Sequence, residues 1–123
     1  MIKKNRILII DDDPDIRSLM DIALKREGYV VETASKKEEV MEKLEQFQPS
    51  VVLLDVLLSG SDGRTICKEI KESDRSKNIT VIMVSAHPGA ADNISSYGAD
   101  DFIAKPFNVN DVLTRLNDIF EKV

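Results

Sequence analysis

Three consecutive aspartates, Asp11-Asp12-Asp13, follow the aliphatic run Ile7-Leu8-Ile9-Ile10, and Asp55 follows Val51-Val52-Leu53-Leu54 with no turn residue between. Ser85 comes directly after Val81-Ile82-Met83-Val84, and Lys105-Pro106 follows Asp101 to Ala104. If these runs are parallel, adjacent strands, three or more carboxylates, a hydroxyl and an ammonium converge on one edge of a sheet. Carboxylates gathered in a partly dry site repel one another, and a divalent cation relieves that repulsion. Few hard oxygen ligands with water completing the shell suit Mg²⁺ better than a caged Ca²⁺ or a soft metal. A carboxylate beside such an ion can also serve as a nucleophile toward phosphorus. In that chemistry one fixed ammonium, here Lys105, and a hydrogen-bond donor, here Ser85, offset the phosphoryl charge.

Taken singly, each residue has a plainer role. Asp13 reads best as the N-cap of a helix with Pro14 at its first position. Asp11 and Asp12 can be solvated acids near a helix N-terminus, Lys105 a surface lysine before a turn proline, and Ser85 a strand-end hydroxyl. Their joint placement at successive strand ends is what argues for chemistry.

The elements that must position these groups are legible as patterns. Arg6 to Ile10, Ser50 to Leu54 and Thr80 to Val84 are near-continuous aliphatic runs, the signature of parallel strands covered on both faces. Tyr29 to Ala34 and Asp101 to Ala104 are weaker strands that complete a set of five. Between them lie amphipathic helices. The first starts at Asp13-Pro14, carries Ile16, Leu19, Met20, Ala23 and Leu24, and stops at Gly28. The second opens on Ser35-Lys36-Lys37-Glu38, a capping-box pattern, and carries Val40, Met41, Leu44 and Phe47. Asp62-Gly63 opens the third, with Ile66, Cys67 and Ile70, and Asn108 opens the fifth, with Val112, Leu113, Leu116, Ile119 and Phe120. The segment Pro88 to Gly98 has room only for a short fourth helix of middling propensity, expected to be the least stable element. Five strand–helix alternations predict an α/β doubly wound, five-stranded parallel sheet with helices on both faces.

Composition removes several function classes. The chain has 123 residues, which fits one domain spanning 1–123, and a net charge of -5 with a pI near 4.9. It lacks the basic stripe that phosphate neutralisation requires, so direct nucleic-acid contact is not expected. One cysteine and one histidine can build neither an internal disulfide nor a structural zinc site. No aliphatic run approaches the roughly 20 residues needed to span a bilayer, and no signal-type opening is present. A soluble, cytoplasmic protein with no membrane partner is the expectation.

The ordered set Ile7-Leu8-Ile9-Ile10-Asp11-Asp12-Asp13-Pro14, Val52-Leu53-Leu54-Asp55 with Asp62-Gly63, Val84-Ser85-Ala86, and Gly98-Ala99-Asp100-Asp101-Phe102 running into Lys105-Pro106-Phe107 resembles the receiver domain of two-component response regulators, including the single-domain chemotaxis and phosphorelay type. The resemblance covers the whole chain, and the flavodoxin-like strand order 2-1-3-4-5 is the expectation that goes with it. The resemblance implies that Asp55 is the phosphoacceptor, that Asp11, Asp12 and Asp55 hold Mg²⁺ together with the backbone carbonyl of Leu57, and that Lys105 pairs with the acyl phosphate. Ser85 would hydrogen-bond a phosphoryl oxygen, Phe102 would be the aromatic switch, and the bond into Pro106 would be cis. Leu57 and His87 stand at the variable positions that tune phosphoryl lifetime in this family, Leu57 as an apolar shield and His87 either as a second tuning group or as a plain rim residue. Ser59 stands where the family usually has proline, which implies a less rigid loop. The implied partners are a histidine kinase or phosphotransfer protein, and a downstream protein bound through the fourth helix, fifth strand and fifth helix.

Two other functions compete. Asp11-Asp12-Asp13 offers the Asp-any-Asp spacing of a Mg²⁺-dependent phosphohydrolase of the haloacid-dehalogenase type, although Asp15 stands where that family has Thr or Val and the chain has no room for a cap domain. A non-phosphorylated interaction module on the same fold would be expected to lack the acid pair or Asp55, and both are present. Beyond self-catalysed phosphorylation and dephosphorylation no enzyme activity is expected. Cys67 reads as a core residue of the third helix.

Overall fold

The computed structural model describes residues 5–58, 61–86, 89 and 94–121. Its central sheet is built from β1 (Arg6–Ile10), β2 (Val30–Ala34), β3 (Val51–Asp55), β4 (Thr80–Ser85) and β5 (Asp101–Ala104). The strands are all parallel in the order β2-β1-β3-β4-β5, the order expected. Four helices flank it: α1 (Pro14–Arg26), α2 (Lys37–Phe47), α3 (Gly63–Glu72) and α4 (Val109–Glu121).

The aliphatic runs of the central strands serve two cores at once, because successive side chains point to opposite faces. Leu8, Ile10, Val52, Leu54, Val81 and Met83 meet α2 and α3 on one face. Ile7, Ile9, Val51, Leu53, Ile82 and Val84 meet α1 and α4 on the other. Each fully buried side chain of this size contributes roughly 1.5–3 kcal/mol of transfer free energy.

Helix α1 starts and stops on the expected signals. The Asp13 side chain accepts a hydrogen bond from the Asp15 N–H at 2.9 Å, and Pro14 occupies the first turn. At the other end Gly28, with φ +91°, lets Tyr29 N–H reach the Leu24 carbonyl and its own N–H reach that of Lys25. That pair of bonds is a Schellman cap. Asp62 caps α3 through Arg64 N–H, and Asn108 accepts from Asp111 N–H ahead of α4.

Four details differ from expectation. Leu19 and Met41 are 54% and 47% exposed, because each lies about a quarter-turn off the centre of its helix's buried stripe. Only Met20 and Leu24 of α1, and Val40, Leu44 and Phe47 of α2, are fully buried. The predicted capping box does not form: Lys36 is the N-cap of α2, with no side-chain cap, and Glu39 Oε1 accepts from both the Ser35 N–H and hydroxyl, at 3.0 and 2.7 Å. β3 runs one residue later than predicted at both ends, which takes Asp55 into the ladder, and β4 extends to include Ser85. Of the predicted short fourth helix, the described residues form a single 3-10 turn, Ile94–Tyr97. His87 and Ser59 lie outside the described residues. Among those residues no helix is long and apolar enough to cross a membrane.

Candidate functional site

The parallel register brings the carboxyl ends of the strands level. Ile10 pairs with Leu54, Asp55 with Val84, and Ser85 with Ala104, so Asp11, Asp55, Ser85 and Lys105 emerge along one edge. Asp55 is held on both sides of its Cα, because Val56 N–H continues the ladder to the Val84 carbonyl at 3.0 Å. Past it, Leu57–Leu58 and Ser61–Asp62 pair as a two-residue antiparallel ribbon that leads into α3.

Asp11, Asp55 and Ser85 are buried, while Asp12 is exposed. One carboxylate oxygen from each of Asp11, Asp12 and Asp55 lies within 4.8 Å of the other two. Lys105 Nζ reaches between two of them, 3.1 Å from Asp11 Oδ2 and 3.4 Å from Asp55 Oδ2. The remaining oxygen of Asp11 accepts from Asp13 N–H at 2.9 Å, and that of Asp55 accepts from Leu57 N–H at 3.2 Å. Beneath the two buried acids the wall is apolar: Ile9, Leu53, Val84 and Phe107.

This environment sets the charges. Burial pushes the Asp55 carboxyl above its ordinary pKa and Asp11 adds to the shift; Lys105 and the Leu57 N–H oppose it without cancelling it. For Lys105 burial pulls the pKa down, but the hydrogen bond and charge of Asp11, with the charge of Asp55, outweigh it and the net direction is up. The site is thus a cluster of hard oxygens carrying more negative charge than its single ammonium balances.

The remaining predicted residues fall around this centre. Lys105 N–H donates to the Ser85 carbonyl at 2.8 Å, which couples the two strand ends, and the Lys105–Pro106 peptide is cis as expected. Phe102 is half-buried, packed like Ile79, Tyr97 and Ala99 against the core on the α2/α3 face. Its carbonyl accepts from Arg115 at 3.2 Å, and Arg115 is ion-paired with Asp101. Leu57 stands 58% exposed at the rim of the site. Asp13 is not part of the acid cluster: its side chain is engaged as the α1 cap, which removes the second acid that a dehalogenase-type phosphohydrolase would use. Cys67 is fully buried, and burial pushes its thiol up to about 11, as befits a core residue.

Two contributors were not singled out from the sequence. Gly63, read as a helix start and as part of the Asp62-Gly63 motif, sits against β3: a Cβ there would lie 2.2 Å from the Asp55 carbonyl oxygen and 2.8 Å from Val56 Cα. Arg17, on the first turns of α1, donates from Nη1 to the Asp11 carbonyl at 2.7 Å. The Asp62-Gly63 pair was a visible signal for the first, whereas nothing in the sequence marks Arg17 apart from other helix-surface arginines. A groove lies at the opposite end of the sheet, between α2 and the α3–β4 loop, where Arg75 and Glu45 form an exposed ion pair.

Comparison with known proteins agrees with this geometry. The DNA-binding dual master transcriptional regulator RpaA of Synechocystis is 37% identical over 119 residues, covering 95% of this chain and 49% of RpaA. The chain therefore spans about half the length of the curated relatives it matches. A solved response regulator signal receiver domain from Bermanella marisrubri superposes with a TM-score of 0.87 at 28% identity, covering 94% of this chain and 98% of that one. The beryllofluoride-activated NtrC4 receiver domain gives 0.86 at 32% identity, over 96% and 98%. Residues 7–117 match the family model described as the response regulator receiver domain, and the chain belongs to that family.

Proposed function

We propose that this chain is a phosphorylation-controlled signalling switch, a single receiver domain in which Asp55 accepts a phosphoryl group from a histidine kinase or phosphotransfer protein. The observation that carries the reading is the convergence of Asp11, Asp12 and Asp55 around the Lys105 ammonium at the carboxyl edge of the sheet. These residues fit Mg²⁺. The donors are hard oxygens, they lie close enough to share one ion, and two of the acids are buried, with burial and then the Asp11 charge raising the Asp55 pKa. Asp11, Asp12 and Asp55 would hold the ion, with the Leu57 backbone carbonyl as the further oxygen that the family pattern implies. When bound, the ion supplies charge neutralisation for the phosphoryl oxygens.

The chain's own groups do the rest. A carboxylate oxygen of Asp55 forms the bond to phosphorus as the bond to the donor breaks. The ladder through Val56 keeps Asp55 aimed outward while it reacts. Lys105 offsets the charge of the acyl phosphate, and the Ser85 hydroxyl takes one phosphoryl oxygen. Because Lys105 and Ser85 are joined through their backbones, a shift of Ser85 toward the phosphoryl group is felt at β5 and at Phe102. Phosphorylation biases the population toward a conformer with Phe102 turned inward, in proportion to its differential contacts with the two states. The reshaped face, comprising the Pro88 to Gly98 segment, β5 and α4, meets a downstream protein. Leu57 shields the acyl phosphate from water, and His87 is the second residue that sets its lifetime. The chemistry is self-catalysed phosphorylation and dephosphorylation, carried out in the cytoplasm.

Intact-mass measurement after incubation with acetyl phosphate and Mg²⁺ tests this. A gain of one phosphoryl group in the wild type, absent in Asp55→Ala and on chelation of the metal, is expected. No Asp55-dependent gain would overturn the proposal.

A further inference from the structure

Arg17 lies outside the acid cluster, yet it touches the backbone between the two acids contributed by the β1–α1 turn. Its Nη1 donates to the Asp11 carbonyl at 2.7 Å, a short, charge-assisted bond. Asp11 is restrained at its other groups as well. Its N–H donates to the Ala34 carbonyl at 3.1 Å, and its carboxylate takes bonds from Asp13 N–H and Lys105. The Arg17 bond holds the carbonyl of the peptide joining Asp11 to Asp12. A peptide is rigid, so holding its carbonyl also sets the direction in which the Asp12 Cα–Cβ bond leaves the chain. That matters because Asp12 is the exposed member of the cluster, without the apolar packing that orients Asp11 and Asp55.

Arg17 is itself well placed to be rigid. It lies on α1 one turn after the Asp13 cap, and its own N–H donates to the Asp13 carbonyl at 3.1 Å. Arg17 thus meets this segment at two points, its backbone N–H at Asp13 and its side chain at Asp11. The guanidinium also brings a positive charge behind a turn that carries Asp11, Asp12 and Asp13, lowering their mutual repulsion without entering the cation site.

We infer that Arg17 is a positioning residue for the divalent-cation site: by holding the Asp11–Asp12 peptide it pre-aligns the two carboxylates, and it tunes cation affinity rather than the chemical step. The inference rests on the proposed phosphorylation function. Outer-shell partners of metal ligands typically govern affinity by 10–100-fold, and a loss of about tenfold is expected here.

The test uses Arg17→Met, which keeps the aliphatic stem and removes the donors and the charge, with Arg17→Lys as the conservative replacement. Mn²⁺ binding is read directly by electron paramagnetic resonance with no phosphodonor present. Mg²⁺ dependence of phosphorylation by acetyl phosphate is read in parallel. Expected are an approximately tenfold weaker Mn²⁺ affinity and a matching rise in the half-saturating Mg²⁺ for Arg17→Met, an unchanged rate at saturating Mg²⁺, and recovery of most of the affinity in Arg17→Lys. Cation affinity within twofold of wild type in a folded Arg17→Met would overturn the inference. So would a fall in the saturating rate with affinity intact. If Arg17→Met does not fold, Arg17→Gln, too short to reach the Asp11 carbonyl and without the charge, takes its place, with the same tenfold loss expected and the same result overturning the inference. Failure of the wild type to take a phosphoryl group removes the proposed function instead, and the Mn²⁺ arm still reads the role of Arg17.

Discussion

Replacing Gly63 by alanine should destabilise the domain although nothing is removed. Glycine to alanine at a compatible position gains roughly 0.4–1 kcal/mol by reducing the freedom of the unfolded chain, and alanine is the better helix former. At Gly63 that gain is outweighed. The new Cβ would lie 2.2 Å from the Asp55 carbonyl oxygen, far inside the 3.0 Å that real Cβ atoms respect, and 2.8 Å from Val56 Cα. Both obstacles are backbone, so no side chain can swing away. Either α3 withdraws and stretches the 2.6 Å bond from Gly63 N–H to the Val56 carbonyl, or the Asp55–Val56 peptide moves and disturbs the bond from Val56 N–H to Val84. Overpacking costs about 1–3 kcal/mol and a weakened hydrogen bond about 0.5–1.5. The net expectation is a loss of about 2–3 kcal/mol, near 10 °C in Tm for a domain of this size. Urea denaturation should show a lower midpoint at unchanged slope, together with slower phosphorylation, because the strained segment carries Asp55. Gly28→Ala is the contrast: no atom lies within 4 Å of its Cβ, but φ is +91°, so its cost is conformational and should leave phosphorylation unchanged. A Gly63→Ala protein as stable as wild type would refute the reasoning.

Other outcomes follow from the charges and burial at the site. Lys105→Met leaves Asp11 and Asp55 buried without their ammonium and should cost about 3–5 kcal/mol in metal-free buffer, measured by urea denaturation, with part of the loss recovered on adding Mg²⁺. The Asp55 pKa is raised, chiefly by burial and then by Asp11, so between its ordinary 3.8 and the raised value the folded chain holds a proton that the unfolded chain has released. Stability without metal should therefore fall as pH climbs through that window, and Asp55→Asn should be the more stable protein above it while converging with wild type below 3.8. Cys67, fully buried with its thiol pushed up to about 11, should resist a thiol-specific disulfide reagent in the native state and react only at the rate of unfolding; rapid native labelling would contradict its core placement.

How far these features could be read from the residues differs by element. The three central strands were legible because runs such as Val51 to Leu54 are apolar on both faces, as in a sheet covered on two sides. Asp13-Pro14 and Gly28 bounded α1 because their local chemistry is decided within a few residues. The acid cluster was legible for a related reason: its members are tied to strand ends, and parallel register brings strand ends together. What escaped depends on distances between elements. The path of the loop entering α2 makes Lys36 the N-cap and brings Ser35 to Glu39, which local spacing does not decide. Leu19 and Met41 match their helices' apolar periodicity, but how much of a stripe is covered depends on how closely the helix meets the sheet. Gly63 carries a steric requirement that appears only once α3 approaches β3, and Arg17 finds its carbonyl only when the β1–α1 turn has closed.

The central claim is that one carboxylate, Asp55, carries the phosphoryl group. Borohydride reduces an acyl phosphate of aspartate to homoserine, so reduction of the acetyl-phosphate-treated protein, followed by peptide sequencing in the mass spectrometer, locates the reacted residue directly. The account predicts homoserine at position 55 alone, dependent on Mg²⁺ and lost in Asp55→Asn. Homoserine at position 11 or 12 instead, or none anywhere while the wild-type protein is folded and Mg²⁺ is saturating, would contradict it.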